Sequence, residues 1–122
     1  MDDLWNEYDE ASLLLEGIED YAALFYLTWA LNGRYPNQSN VARARALTKH
    51  LIKRGLVKMF VETHLAAGDP RPADLAETES FLADDRQWET PLDDSSPVAL
   101  IGTTEEGEAR WTELSSRGIT GD

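Results

Sequence analysis

The sequence of 122 residues contains no cysteine, so it cannot form a disulfide framework or a thiolate zinc site. Its longest apolar stretch, from Tyr21 to Leu31, is too short to span a bilayer as a helix. The acidic start Met1-Asp2-Asp3 lacks the order of basic and then apolar residues that defines a signal peptide. We therefore expect a cytoplasmic protein with no membrane partner.

Acidic residues are missing from about a third of the chain. No Asp or Glu occurs between Tyr21 and Val61, although this segment holds seven of the eleven Lys and Arg residues. The segment therefore has a formal charge of +7, and the 23 acidic and four remaining basic residues give the rest of the chain −19. Charge separation on this scale is typical of a protein with a charged partner.

The length of the chain and an apolar content of 42% predict one folded domain spanning residues 1–122. Residue periodicity predicts helices in most of the first half, and two short strands follow later, so we expect an α+β, mainly helical fold. Residues 1–8 and 115–122 are predicted to be frayed tails.

The first predicted helix begins between Asp9 and Ser12 and continues to about Ile18. The run from Tyr21 to Leu31 that follows is apolar on nearly every face. A helix of this kind lies at the centre of a fold. The pattern therefore predicts that Phe25 and Trp29 belong to the core.

A basic amphipathic helix is predicted from Val41 to Arg54, with Gly55 as its C-terminal stop. One side of this helix is apolar and predicts a buried stripe. The opposite side and its flanks are basic and form a ridge, which continues into the predicted strand from Leu56 to Val61. The basic residues of this ridge are Arg43, Arg45, Lys49, His50, Lys53, Arg54 and Lys58.

The second half of the chain is acidic and less regular. An acidic helix is predicted from Pro72 to Ala83, and Trp88 is the expected anchor of the loop 84–97 that follows. The segment from Val98 to Ile101 predicts a strand that pairs with the first one. A final helix is predicted to run to about Leu114 from a capping box of Thr103 and Glu106.

This order resembles that of bacterial winged-helix regulators. Two segments are similar to that family: Leu51-Ile52-Lys53-Arg54-Gly55-Leu56-Val57, where the recognition helix enters the wing, and Thr103-Thr104-Glu105-Glu106-Gly107-Glu108-Ala109, where the next helix starts. The resemblance implies a winged-helix-like domain with a two- or three-stranded antiparallel wing and an inserted acidic helix. It also implies a transcriptional regulator that binds double-stranded DNA as a homodimer. Arg43 to Arg54 would then lie on the recognition helix and face phosphates or base edges.

Other partners fit the same charges. The basic ridge could also bind a protein partner or pair with the protein's own acids. A third alternative is that it is a solvated helix face. Conversely, an acidic surface could bind a basic protein, as an immunity protein covers a nuclease toxin. The residues of this alternative surface are Asp84, Asp85, Trp88, Glu89, Asp93 and Asp94. The same residues also fit a solvated loop.

Catalytic motifs are not evident in the sequence. The two histidines, His50 and His64, fall on different predicted elements and lack the spacing of metal ligands. No Gly-x-Ser-x-Gly elbow and no glycine-rich phosphate loop is present. We therefore expect a protein that is not an enzyme and that needs no cofactor or metal.

Overall fold

The computed structural model describes residues 5–64, 67–89 and 96–121. Helices and strands alternate irregularly along these residues. In chain order, the elements are α1 (Glu7–Glu19), β1 (Ala22–Ala23), α2 (Leu24–Arg34), α3 (Val41–Lys53), β2 (Val57–Glu62), β3 (Arg71–Pro72), α4 (Leu75–Ala83), α5 (Arg86–Glu89), β4 (Val98–Thr103) and α6 (Glu105–Ser116). The predicted α+β class is confirmed.

The strands form one antiparallel sheet in the order β1-β4-β2-β3. The predicted pairing of β2 with β4 is confirmed, in a register that sets Val57 opposite Thr103 and Glu62 opposite Val98. The described residues form four strands where two or three were expected. The two additional strands, β1 and β3, contain two residues each, which is too short for a periodic pattern.

The main core lies between the inner face of the sheet and the helices. Residues of β2 alternate, so that Val57, Met59 and Val61 are buried whereas Lys58 is exposed. Apolar residues from the helices cover this inner face. They include Leu13, Leu14, Leu24, Leu27, Leu31, Leu47, Leu51 and Leu114. Burial of the helices' apolar sides is what holds them against the sheet.

Both ends of the described chain are tied down rather than frayed. Asn6 caps α1 through a capping box with Asp9, in which each side chain accepts a backbone N–H of the other residue. At the other end, Ile119 is buried, and the indole Nε1 of Trp111 donates to the carbonyl oxygen of Thr120 at 3.0 Å. The predicted tails are therefore wrong at these residues, whereas residues 1–4 and 122 lie outside the described part.

The predicted cap of α6 is displaced by one residue. Thr104, not Thr103, is the N-cap, and its hydroxyl accepts the backbone N–H of Gly107 at 3.1 Å. Thr103 is the last residue of β4, and its hydroxyl donates instead to the carbonyl oxygen of Leu14 in α1 at 2.8 Å. Thr104 also donates to the carbonyl oxygen of Gly55, which fixes the start of α6 beside the end of α3.

The aromatic residues of α2 divide between the inside and the outside. Phe25 is 2% exposed, as predicted, but Trp29 is 44% exposed, so its assignment to the core is wrong. The leucines of α2 form the face that packs on the core, and this orientation turns Tyr26 and Trp29 outward. Tyr21, just before β1, is likewise 46% exposed.

Candidate functional site

The basic helix is formed as predicted, apart from one residue at its end. Ala44, Leu47 and Leu51 of α3 are buried. Their spacing puts them on one side of the helix, so the basic side chains fall mainly on the other. After α3, Gly55 has a φ of +74°, a left-handed conformation that glycine adopts at little cost. The chain then enters β2 directly.

Four basic side chains at this end of the molecule remain open to solvent. They form no ion pair with any carboxylate of residues 5–64, 67–89 and 96–121, and all four residues are exposed. We call them the open cations: Lys49, Lys53 and Arg54 of the α3 end, and Lys58 of β2. Two of them, Arg54 and Lys58, line the same groove.

Arg45 of the same predicted ridge forms its contacts within the protein. Its guanidinium group donates to the carboxylate of Asp85 and lies 5.9 Å from the ring centre of Trp88. The short helix α5 packs against α2 and α3 and brings this carboxylate to the basic helix. The Nε atom of Arg45 is buried without a hydrogen-bond partner. Arg45 is thus neutralised internally, and such pairing with the protein's own acids was one of the predicted alternatives.

Arg43 is held by neighbours from the turn between α2 and α3. It donates to the side-chain oxygen of Asn40 at 2.7 Å, and its guanidinium carbon lies 3.8 Å from the ring centre of Tyr35. The hydroxyl of Tyr35 in turn donates to the buried carboxylate of Asp9 at 2.8 Å. Burial and this hydrogen bond raise the pKa of Tyr35 above its usual value. Arg43 is therefore fixed in position.

His50 faces a different neighbour from the rest of the ridge. Its ring centre lies 5.1 Å from that of Trp5, and the residue is half-buried. The seven predicted basic residues therefore divide into three that have structural contacts and the four open cations. Contacts of this kind join residues far apart in the sequence, so periodicity alone could not separate the two groups.

The predicted acidic surface is only partly available to a partner. Trp88 is fully buried, and its indole Nε1 donates to the carbonyl oxygen of Leu82 at 3.2 Å. Its predicted role as an anchor of the loop is consistent with this burial, but a partner-binding role is wrong because the ring belongs to the core. Asp84 accepts from Arg86, which lowers the pKa of the Asp84 carboxyl group.

The remaining predicted acids differ in what they contact. Asp85 and Glu89 are both exposed, and Asp85 accepts a hydrogen bond from Arg45. Asp93 and Asp94 lie outside the described residues. The acids therefore do not form a single open surface around an aromatic anchor within the described part of the chain.

A groove of about 830 Å³ adjoins the open cations. Arg54 and Lys58 line it together with the aromatic rings of Tyr21 and Phe60. The groove also contains acidic residues from the end of α1 and the start of α6. These are Asp20, Glu105 and Glu106. The groove is therefore mixed in charge, with cations and rings contributed by the acid-free segment.

Neither a metal site nor a membrane span is visible in the described part of the chain. Within those residues, no group of three or more His, Asp or Glu side chains is arranged to hold a metal ion. None of the helices there has the combined length and apolar character needed to cross a bilayer. No known protein family, curated protein or solved structure matches this chain.

Proposed function

We propose that this protein is a winged-helix-like regulator that binds double-stranded DNA through the open cations. The observation that carries the proposal is that they form no ion pair with the carboxylates of the described residues. The other arginines with an ion pair contact carboxylates of the protein itself, whereas these four exposed side chains do not. In a protein with a net charge of −12, exposed cations that form no ion pair with the described carboxylates favour an anionic partner.

The order of the elements supports the winged-helix part of the proposal. Two helices, α2 and α3, are joined by the short turn 35–40 and follow a first helix, α1. The antiparallel pair of β2 and β4 comes after α3, as a wing follows a recognition helix. In this reading, α3 is the recognition helix, and the segment 63–97 with α4 and α5 is an insertion in the wing.

The positions of the open cations favour contacts with phosphates. In a helix-turn-helix, side chains near the start of the recognition helix read base edges. Here Arg45 is bonded to Asp85, and the open cations lie at the end of α3 and on β2. Phosphate contacts give affinity with little sequence information. We therefore expect binding that depends strongly on salt and only weakly on sequence.

The test compares two triple variants that remove the same amount of charge. Lys49→Gln/Lys53→Gln/Lys58→Gln removes open cations, and Arg71→Gln/Arg86→Gln/Arg117→Gln removes exposed cations elsewhere as the matched control. We measure binding to a fluorescent duplex by anisotropy over a range of salt concentrations. The first variant should weaken binding to all duplexes and reduce the slope of log K against log salt by about 3, one per lost phosphate contact.

The control variant should retain the affinity of the unmodified protein. Two outcomes would contradict the proposal: absence of duplex binding by the unmodified protein at low salt, or equal loss of affinity in both variants. Circular dichroism of each variant verifies that the substitutions leave the fold intact. The burial of Trp88 argues against the alternative of an acidic partner-binding surface, because that surface would use this ring.

A further inference from the structure

The outer face of the sheet is built from aromatic, apolar and basic residues of neighbouring strands. The strand register sets Lys58 of β2 opposite Gly102 of β4, and Phe60 opposite Leu100. Leu100 is in turn opposite Ala23 of β1, and Tyr21 precedes that strand. Side chains two residues apart share a face of a sheet, so an open cation and two aromatic residues lie on one surface.

Gly102 allows the two aromatic rings of this surface to meet. The ring centres of Tyr21 and Phe60 lie 4.8 Å apart in an edge-to-face arrangement. A Cβ atom at Gly102 would lie 3.1 Å from the ring of Phe60 and 3.2 Å from that of Tyr21, closer than ordinary van der Waals contact. Gly102 therefore leaves room for both rings over β4, and they lie on the same face of the sheet as Lys58.

The aromatic surface continues onto α2. Phe60 packs against the small cluster that contains Phe25, and the ring of Phe25 contacts those of both Tyr26 and Trp29. Tyr26 and Trp29 are 49% and 44% exposed. We call these five residues the aromatic strip: the exposed Tyr21, Tyr26 and Trp29, the partly buried Phe60, and the buried Phe25 that links Phe60 to the rings of α2. All five residues belong to the acid-free segment, and Lys58 and Arg54 border the strip at the groove.

The exposed area of the strip decides between two kinds of occupant: a second copy of the chain and a single strand of nucleic acid. A stable dimer buries about 800 Å² on each partner. An aromatic side chain offers about 150–250 Å² in total, so three half-exposed rings supply roughly 300 Å². This area is too small for a second copy of the chain to be held by the strip alone. Bases that stack singly on aromatic rings need no such continuous area, and cations next to the rings can bind the connecting phosphates.

From this combination we infer that the aromatic strip binds a single-stranded DNA segment that adjoins the duplex on the open cations. Unpaired bases stack on Tyr21, Phe60 and the exposed rings of α2, and Lys58 and Arg54 bind phosphates at the junction. The inference rests on the proposed function and narrows its ligand to a duplex with an unpaired extension. Sheets that present aromatic side chains to RNA bases use the same physics.

The acids of the groove lie at the end of the strip where Tyr21, Arg54 and Lys58 are found. Glu105 and Glu106 follow the Thr103 end of β4, whereas the strip continues toward Leu100, at the other end. The carboxylate of Asp20 accepts the backbone N–H of Tyr21 at 2.7 Å, so it is held against its own chain. Where the strip meets the groove, the two open cations therefore lie together with these three acids.

The experiment compares the affinity for a short duplex with that for the same duplex carrying a single-stranded extension. Stacking of one base is worth about 1–3 kcal/mol, so the extension should tighten binding at least about fivefold. The variant Tyr21→Ala/Trp29→Ala should lose this gain and keep the affinity for the plain duplex. The control Tyr8→Ala removes an equally exposed ring on α1 and should keep the gain.

The outcomes separate this inference from the proposed function. Equal affinity for the two probes overturns the inference, even where the duplex binds well and the proposed function stands. Absence of binding to either probe overturns both. Sedimentation that shows a dimer lost in Tyr21→Ala/Trp29→Ala, with no gain from the extension, also overturns the inference. The variant Trp29→Phe keeps a ring and should retain most of the gain, which guards against a loss caused by misfolding.

Discussion

The two sides of the molecule use basic residues in opposite ways. On the side of α1 and α6, Arg110 lies among carboxylates, with distances of 2.8 Å to Glu10, 3.1 Å to Glu113 and 3.4 Å to Glu7. Arg117 adds a second contact to Glu7, at 2.8 Å. At the end of α3 and on β2, the open cations have no such partners within the described chain.

The contrast also follows the residue type. The arginines of α6 have planar guanidinium groups that bind several carboxylates at once, whereas three of the four open cations are lysines with flexible single charges. Arginine therefore joins α1 to α6 as part of the fold. The lysines form no ion pair with the described carboxylates and add little to the fold, so their presence on the surface requires another explanation. This difference predicts that loss of an arginine affects stability and loss of a lysine affects binding.

The largest expected effect comes from Arg110→Met. The carboxylate of Glu10 is almost fully buried, and removal of its partner leaves an uncompensated charge inside the protein. Breaking a buried pair in this way lowers the free energy of unfolding by about 3–5 kcal/mol. Urea denaturation monitored by circular dichroism measures the loss. The double variant Glu10→Leu/Arg110→Met should recover most of it, because two apolar residues leave no buried charge, and failure to recover would contradict this account.

A smaller effect is expected from Asp85→Asn. This change removes the internal partner of Arg45 and adds a further cation to the region of the open cations. The pair is solvent-exposed, and such pairs are worth about 0–1 kcal/mol, so affinity for duplex DNA should rise by up to about fivefold. Anisotropy measures the change, with Asp74→Asn in the insertion as a control for the loss of one acid. Unchanged or weaker binding in Asp85→Asn would show that Arg45 stays outside the interface.

The smallest effect is expected at the exposed pair of Arg71 and Glu77. The hydrogen bond from Arg71, followed by that from the backbone of Asp74, lowers the pKa of Glu77 from 4.5 to about 2. Because the pKa is lowered in the folded protein, its stabilising contribution is present above pH 4.5 and is lost as the pH falls toward 2. In Arg71→Ala, carboxyl titration by NMR should show a pKa closer to 4.5, whereas Arg86→Ala should leave it unchanged. A pKa that stays low in Arg71→Ala would assign the shift to the backbone instead.

Much of the fold could be predicted from local pattern. The basic helix was predicted from Val41 to Arg54 and runs to Lys53, because its apolar spacing and its glycine stop are strong local signals. The pairing of β2 with β4 was also predicted. The two-residue strand β1 was not, because its residues continue the apolar run that enters α2.

The site was harder to predict because its features depend on distant residues. Arg45 and Asp85 are 40 residues apart in the sequence, and no local sequence pattern around either residue predicts their contact. The run from Tyr21 to Leu31 was assigned to the core on its composition alone. Since an apolar run does not reveal which of its faces is covered, the exposure of Trp29 could not be read from it. The absence of acids from that run therefore extends to an exposed surface.

The link between α1 and α6 has a consequence for how the chain reaches its fold. Glu10 and Arg110 are separated by 100 residues, and β1 likewise pairs only with the much later β4 among the described strands. Contacts between distant parts of a chain form slowly, because they close large loops. We therefore expect the docking of α1 onto α6 to be a late step of folding. During synthesis on the ribosome, Glu10 of α1 can pair with Arg110 only after α6 has emerged.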